Sequence, residues 1–305
     1  MKISKYAKEQ TTRVAIFGLS GSGKSSLAAA LSKKYNLKWF DLENSIEILR
    51  RLPPDQQDRI DYIRIPDSAT FPIASETLLV LFKAYRGNVC YGHGKLNCPM
   101  CIKEGNPRVD IDFNSLTAND IVVIDTATQL SASLLAHLCK DKPVDYKPQR
   151  DEWGALRKYT EWFKSQWQAV PFNIVVLFHT LEAQMDDKAV KLVPNFGSRD
   201  MSTSIGGAFT HVIYTEVKNK SHRSASSSTY SNSVLTKSRS EYIAEQLPAP
   251  DLIPLFDMYQ NNDSVPQDMP QELKSIVTNT STDPQSPGDI AIDRLAALKR
   301  RMGKK

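Results

Sequence analysis

Eight consecutive residues, Gly18-Leu19-Ser20-Gly21-Ser22-Gly23-Lys24-Ser25, match G-x-x-x-x-G-K-[ST] without a mismatch. This is the phosphate-binding P-loop. Its glycines let the backbone close around a phosphate, so that N–H groups of the loop and of the following helix point at the anion. Lys24 is expected to reach the β- and γ-phosphates, and the Ser25 hydroxyl to ligate Mg²⁺. Ser26 heads the helix that follows. The chemistry is that of a nucleoside triphosphate held with its metal.

That chemistry needs further groups. Asp125 follows the apolar run Ile121-Val122-Val123-Ile124. A carboxylate at the carboxyl end of a parallel strand beside the P-loop strand can hold the Mg²⁺ shell, although it could also cap the next segment. Glu43 lies in Phe40-Asp41-Leu42-Glu43, just past the strand that follows the P-loop helix. There it can orient or activate the attacking water, or merely face the dipole of a helix beginning near Asn44. His179 and Thr180 end the run Ile174–Phe178, where a polar side chain can sense the γ-phosphate; a strand-end histidine satisfied locally is the plain alternative.

A second group has different chemistry. Cys90, His93, Cys98 and Cys101 follow C-x₂-H-x₄-C-x₂-C, a donor set suited to tetrahedral, structural Zn²⁺. Gly92, Gly94 and Pro99 permit the tight turns of such a knuckle, and a closed ligand set leaves no open position for catalysis. The bland alternative is three free cysteines in a loop. Cys139, in Leu134-Leu135-Ala136-His137-Leu138-Cys139, reads as a buried helix residue.

The elements that must position these groups are legible as runs. Val14–Phe17, Leu37–Asp41, Ile121–Asp125, Asn173–Phe178 and His211–Val217 read as strands, with another expected around Tyr242-Ile243-Ala244. Ser26–Leu31 reads as a helix. Trp153, Leu156, Tyr159, Phe163 and Trp167 lie near helical spacing over 151–169. Strands alternating with helices indicate an α/β fold with a mostly parallel central sheet flanked by helices. The expected organisation is an ATPase core over 10–247, interrupted by the Cys/His insertion at 86–108. A flexible, disordered linker follows over 248–305 and carries a basic C-terminal helix, Asp289–Met302. That tail is either solvated or a docking peptide for DNA or a protein partner.

Bulk properties narrow the class. The 305 residues are 41% hydrophobic and 24% charged, with a net charge of +5, ordinary for a globular protein and permissive of an anionic partner. No apolar run is long enough to span a bilayer, and Met1–Tyr6 lacks the apolar core of a signal peptide. A cytoplasmic location is therefore expected. Lys218, Lys220, His222, Arg223, Lys237 and Arg239, with Tyr230 among them, form a basic Ser-rich stretch that could follow a single nucleic-acid strand or simply be solvated.

In order, GLSGSGKSS, WFDLEN, IVVIDT, VVLFHT, Ser204-Ile205-Gly206-Gly207-Ala208-Phe209 and HVIYTEV resemble the RecA recombinase core over about residues 13–247. Within that pattern the chain is similar to small phage nucleotide-binding proteins, the single-strand annealing recombinases. The resemblance implies that Glu43 activates water and that about residues 181–207 form a DNA-binding loop. It implies a homo-oligomer with ATP at subunit interfaces, where Lys237 and Arg239 reach a neighbour's γ-phosphate, in a bacterial or phage-infected cytoplasm. It implies a DNA-stimulated ATPase acting on single-stranded DNA. A small-molecule or nucleotide kinase and a non-hydrolysing, nucleotide-gated adaptor are the rival readings of the same P-loop. No N-terminal oligomerisation domain of the full-length recombinases is visible.

Overall fold

The apolar runs become strands because β-branched and aromatic side chains alternate between two buried faces. A computed structural model describes residues 11–68, 71–143, 145–185, 188–218, 221–225, 233–238 and 251–260. Its strands are β1 (Arg13–Gly18), β2 (Asn36–Asp41), β3 (Ile60–Arg64), β4 (Arg86–Cys90), β5 (Arg108–Asp112) and β6 (Asp120–Asp125). They continue with β7 (Asn173–Phe178), β8 (Thr180–Gln184), β9 (Val190–Pro194), β10 (His211–Lys218), β11 (Ser221–Ala225) and β12 (Lys237–Ser238). The longer helices are α1 (Lys24–Ala29), α2 (Ile73–Ala84), α3 (Pro99–Glu104), α4 (Ala127–Cys139), α5 (Arg150–Ala169), α6 (Arg199–Ser204) and α7 (Ile253–Gln260).

The main sheet runs β11-β10-β1-β7-β6-β2-β3, with β12 also paired to β10. From β10 to β3 every pairing is parallel; β11 and β12 join antiparallel. This is a mostly parallel central sheet flanked by helices, with the P-loop at the carboxyl end of β1. One expectation is corrected here. β6, the strand carrying Asp125, does not lie beside β1, because β7 is inserted between them. Sequence order says nothing of strand order, and the crossover that places β7 there is a tertiary choice.

Both faces of the sheet are covered. Ala15, Phe17, Val122, Ile124, Val176 and Phe178 turn toward α2, α4 and α5, where they meet Leu81, Phe82, Leu134, Phe163 and Trp167. Val14, Ile16, Val123, Val175 and Leu177 turn the other way, toward Leu27, Leu31, Leu255 and Phe256. In α5 the buried residues are Leu156, Thr160, Phe163 and Trp167, one stripe at helical spacing. Trp153 remains 47% exposed.

Further corrections concern the tail and the loops. Composition suggests disorder from residue 248, yet α7 forms in that segment and buries Leu252, Leu255 and Phe256 on the sheet. Lys34 pairs with Asp257 at 2.7 Å, and Tyr35 also hydrogen-bonds Asp257. Leu252 just before the helix, Leu255 and Phe256 within it, and the partly buried Ile253 seat this segment despite the Pro-rich approach. The strand expected at 242–244, Tyr230, Arg239 and the helix at 289–302 lie outside the described residues. Residues 181–207 are not one open loop: β8 and β9 form an antiparallel hairpin and α6 follows. Cys139 ends α4 only half-buried. Among the described residues, no helix is long and apolar enough to cross a membrane.

Candidate active site and metal knuckle

The P-loop leaves β1 through Gly18, where no side chain fits. A Cβ there would lie 2.4 Å from both the Thr215 carbonyl oxygen and Ser22 Oγ. Gly21 and Gly23 have φ of +76° and +92°, values that side chains resist. Inside the loop, Ser22 N–H donates to the Leu19 carbonyl at 3.1 Å. The Ser22 and Thr215 hydroxyls pair at 2.8 Å, tying the loop to β10. Lys24 is buried and folds back, its Nζ donating to the Gly18 and Leu19 carbonyls at 3.1 and 3.0 Å. Burial lowers its pKa, while the negative charges of Asp125 and Glu43 pull it back up. Ser25 is half-buried and Ser20 and Ser26 are exposed.

Asp125 is 1% exposed. Burial pushes its carboxyl up to about 6; hydrogen bonds from Ser45 and Ser25 oppose that, and Asp41 and Glu43 add to it. Ser45 Oγ donates to Asp125 Oδ2 at 2.7 Å. The contact with Ser25 joins both expected Mg²⁺ ligands, although β7 separates their strands. A partly dehydrated carboxylate beside a serine hydroxyl has the hard oxygen donors that Mg²⁺ prefers.

The turn after β2 explains why Glu43, and not Asp41, faces the cleft. Asp41 is fully buried and accepts the Glu43 N–H at 3.0 Å, the Ser45 N–H at 2.6 Å and the Tyr62 hydroxyl at 2.7 Å. It is spent on shaping the turn, in which Asn44 has φ +63°. Glu43 therefore projects outward. Its Oε1 accepts from Thr126 Oγ1 at 2.5 Å, and its two oxygens lie 2.9 and 3.0 Å from His179 Nε2. Burial raises the Glu43 pKa, but the bonds from His179 and Thr126 and the Lys24 charge outweigh it, so the net shift is downward. A carboxylate held ionised is a competent water acceptor.

His179 is brought into this group; Thr180 is not. The His179 N–H donates to Thr128 Oγ1 at 2.9 Å and its carbonyl accepts from Asn195 N–H at 2.8 Å, which anchors the start of the β8–β9 hairpin. Thr180 Oγ1 is buried without a hydrogen-bond partner. Lys237 lies far from the P-loop of its own chain. β12 pairs with His211 and Val212 at the amino end of β10, and Lys237 Nζ donates to the Gly206 and Phe209 carbonyls at 3.2 and 2.8 Å. Arg239 lies outside the described residues. Asp41, Ser45, Thr126 and Thr215 were not expected in the site. Asp41 precedes Glu43 by two residues, and nothing in DLEN says which carboxylate turns inward.

The sequence matches the AAA domain family over residues 10–244. The chain belongs to the AAA domain family. Its matched span includes the P-loop, Glu43, Asp125 and His179, and the domain is an AAA-type P-loop ATPase domain. No curated protein matches this AAA domain chain. Among solved structures it is similar to a prototypical ATPase from the type III secretion system of pathogenic bacteria, at 11% identity and a TM-score of 0.37. That match covers 67% of this chain and 51% of the other. It is also similar to the assembled type III secretion ATPase EscN of enteropathogenic E. coli (14% identity, TM-score 0.36, 68% and 43% covered). A third is the flagellar accessory protein FlaH of Methanocaldococcus jannaschii (11%, 0.32, 73% and 80%). The chain thus spans about half the length of the two secretion ATPases.

The insertion at 86–108 is built on the β4–β5 hairpin, with α3 between the strands. Cys90 ends β4, Cys98 precedes α3 and Cys101 lies within it. The donor atoms of Cys90, His93, Cys98 and Cys101 all lie within 4.8 Å of one another. His93 Nδ1 is 3.9, 3.6 and 3.3 Å from the sulfurs of Cys90, Cys98 and Cys101. Tetrahedral Zn²⁺ with ordinary bond lengths requires S···N separations of about 3.6 Å. The three cysteines are buried and free of disulfides, and they make a small core of their own. The donor set and its spacing therefore fit zinc. The Cys98 thiol is lowered to about 7, chiefly by the Cys101 backbone N–H. The knuckle is seated on the main sheet: Gly94 has φ +64°, a Cβ there would lie 2.8 Å from the Arg64 carbonyl, and Thr77 Oγ1 donates to the Gly94 carbonyl at 2.7 Å.

Proposed function

We propose that this ATPase domain hydrolyses ATP with Mg²⁺ and acts on single-stranded DNA in recombination or annealing. The observation that carries the reading is Glu43, held ionised between Thr126 and His179 with Lys24 in its electrostatic reach. Lys24 and the loop amides would hold the β- and γ-phosphates, and Ser25 and Asp125 the Mg²⁺, which supplies Lewis-acid neutralisation of phosphate charge. Glu43 would accept the proton of the attacking water.

His179 supports a link from nucleotide to DNA. It touches Glu43 through its ring and starts the β8–β9 hairpin through its backbone. A change at the γ-phosphate that moves Glu43 would reach the hairpin in one residue. The hairpin and α6, together with the β10–β11 ribbon bearing Lys218, His222 and Arg223, are the expected DNA surface. Lys237, at the opposite end of the sheet from its own P-loop, could meet only a neighbour's nucleotide. That fits a homo-oligomer with ATP between subunits. The knuckle residues would hold one structural Zn²⁺. The core would extend from about residue 10 through α7, and the segment beyond it would be a linker available to a partner protein.

ATP hydrolysis by the purified chain, with and without single-stranded DNA, tests the reading. DNA-stimulated release of phosphate is expected. Phosphorylation of a small acceptor would replace it with the kinase reading. Tight ATP binding with no turnover in either condition would replace it with the adaptor.

A further inference from the structure

Two segments differ in charge in a way that bears on where a nucleic-acid strand runs. Residues 181–207 carry four acids, Glu182, Asp186, Asp187 and Asp200, against three bases, Lys188, Lys191 and Arg199. A polyanion gains nothing there from net charge. The knuckle at 86–108 carries four bases, Arg86, Lys95, Lys103 and Arg108, against the single acid Glu104, while the rest of β5 adds Asp110 and Asp112 opposite Asn88 and Arg86, at the end of the paired strands away from the donors. Among the described residues none of these four bases is ion-paired.

The same knuckle exposes large apolar side chains. Tyr91, Met100 and Ile102 are 54%, 58% and 50% exposed. Each is the chain neighbour of a buried cysteine, Tyr91 of Cys90 and the other two of Cys101, so the donor cluster fixes their backbone. An aromatic ring standing in solvent on a rigid mount, among unpaired cations, is the combination that binds single strands. Bases stack on the ring, and phosphates follow the cations. Asp125, Asp41 and Arg64 form one cross-strand row at the carboxyl end of the sheet, and Gly94 sits against the Arg64 carbonyl. The knuckle therefore abuts the same end of the sheet as the P-loop.

We infer that the Cys/His knuckle is a single-stranded DNA contact, with Tyr91 stacking on a base and Lys103 and Arg108 on flanking phosphates. The inference rests on the single-strand reading above and relocates its main contact from the 181–207 segment to the insertion.

The test uses the full, zinc-loaded chain with an ATP analogue and a fluorescein-labelled oligo(dT) of about thirty nucleotides. Anisotropy is read at several salt concentrations for the parent, Tyr91→Ala, Tyr91→Trp and the Lys103→Ala/Arg108→Ala pair. Zinc content and sedimentation are recorded for each. Tyr91→Ala should bind about tenfold more weakly, and Tyr91→Trp should restore binding. The Lys103/Arg108 pair should lower the slope of log affinity against log salt by about 1.4, since each lost phosphate contact on a single strand removes about 0.7. If the parent binds and all variants bind alike with unchanged slopes, the knuckle inference is overturned while the single-strand reading stands. If the parent binds no oligonucleotide in any nucleotide state, both fall together. If Tyr91→Ala leaves DNA affinity intact but shifts the protein to smaller species, the patch is a subunit contact and the inference is wrong.

Discussion

The P-loop site and the Cys/His knuckle are both tight turns with positive-φ glycines, yet they are held in place by different physics. The P-loop rests on two packed sheet faces: Phe17 and Ile16 below it are fully buried, the Ser22 and Thr215 hydroxyls pair with each other, and Lys24 donates to the Gly18 and Leu19 carbonyls. The knuckle is anchored to the main core through Val89 and Leu96, but around its donors it has only Cys90, Cys98 and Cys101. Those three side chains bury too little to offset the cost of ordering the turns between them. A site whose scaffold is a large core can be altered chemically and stay folded. A knuckle held by a bound metal would not.

The largest expected effect is at Lys24. Lys24→Ala should abolish ATP turnover while leaving the fold intact, because its charge serves phosphate and its neighbours are backbone carbonyls. Circular dichroism and phosphate release check it, and a folded variant with parental turnover would remove the P-loop assignment. Next is Glu43→Gln, which should keep ATP binding and lose about 10²-fold or more of turnover. Equal losses of binding and turnover would mark Glu43 as structural.

The knuckle should respond in the opposite way. Protein purified without added metal should hold one Zn²⁺ per chain by elemental analysis. Chelation should speed amide exchange across 86–108 by at least about 10²-fold while amides of β1 and β7 stay protected. A metal-free sample with a protected knuckle would break the comparison.

The smallest effect is one of pH and belongs to the P-loop site. The Asp125 carboxyl is raised to about 6, against about 3.9 for the unfolded chain. A raised carboxyl pKa means that the folded state binds the proton more tightly. Stability of the nucleotide-free protein from this group is thus full below about pH 4 and is lost as pH rises through about 6. Asp125→Asn should therefore stabilise the nucleotide-free protein at pH 7–8 by on the order of 3 kcal/mol and flatten that part of its pH profile. Denaturant titrations with and without Mg²⁺ read this. A variant no more stable than the parent at pH 8 would mean that Asp125 carries no such penalty.

Much of this was legible in the chain because it is local. The Gly18–Ser25 pattern, the apolar runs ending in Asp125 and Phe178, and the C-x₂-H-x₄-C-x₂-C spacing are each written within a few residues. Short spacing restricts geometry enough to name the chemistry. The short strand β3 and the hairpins were missed, since Ile60–Arg64 mixes charges with only partial burial. The helix α7 was missed because three buried residues in a Pro- and Asp-rich stretch make a weak pattern.

By itself, then, the sequence determined the central strands, the phosphate-loop motif and the spacing of the four Cys/His residues. Periodicity and covalent spacing act over distances shorter than one strand. Only the tertiary structure decided that β7 separates β1 from β6, that Asp41 is consumed by the turn and Glu43 is presented, and that His179 joins Glu43 to the β8–β9 hairpin. It also decided that the knuckle sits at the end of β3. Each of these depends on which distant segments pack and which buried polar groups find partners. A buried carboxylate such as Asp41 must be satisfied wherever donors converge, and that convergence of the Glu43 and Ser45 amides with the Tyr62 hydroxyl exists only in the folded chain.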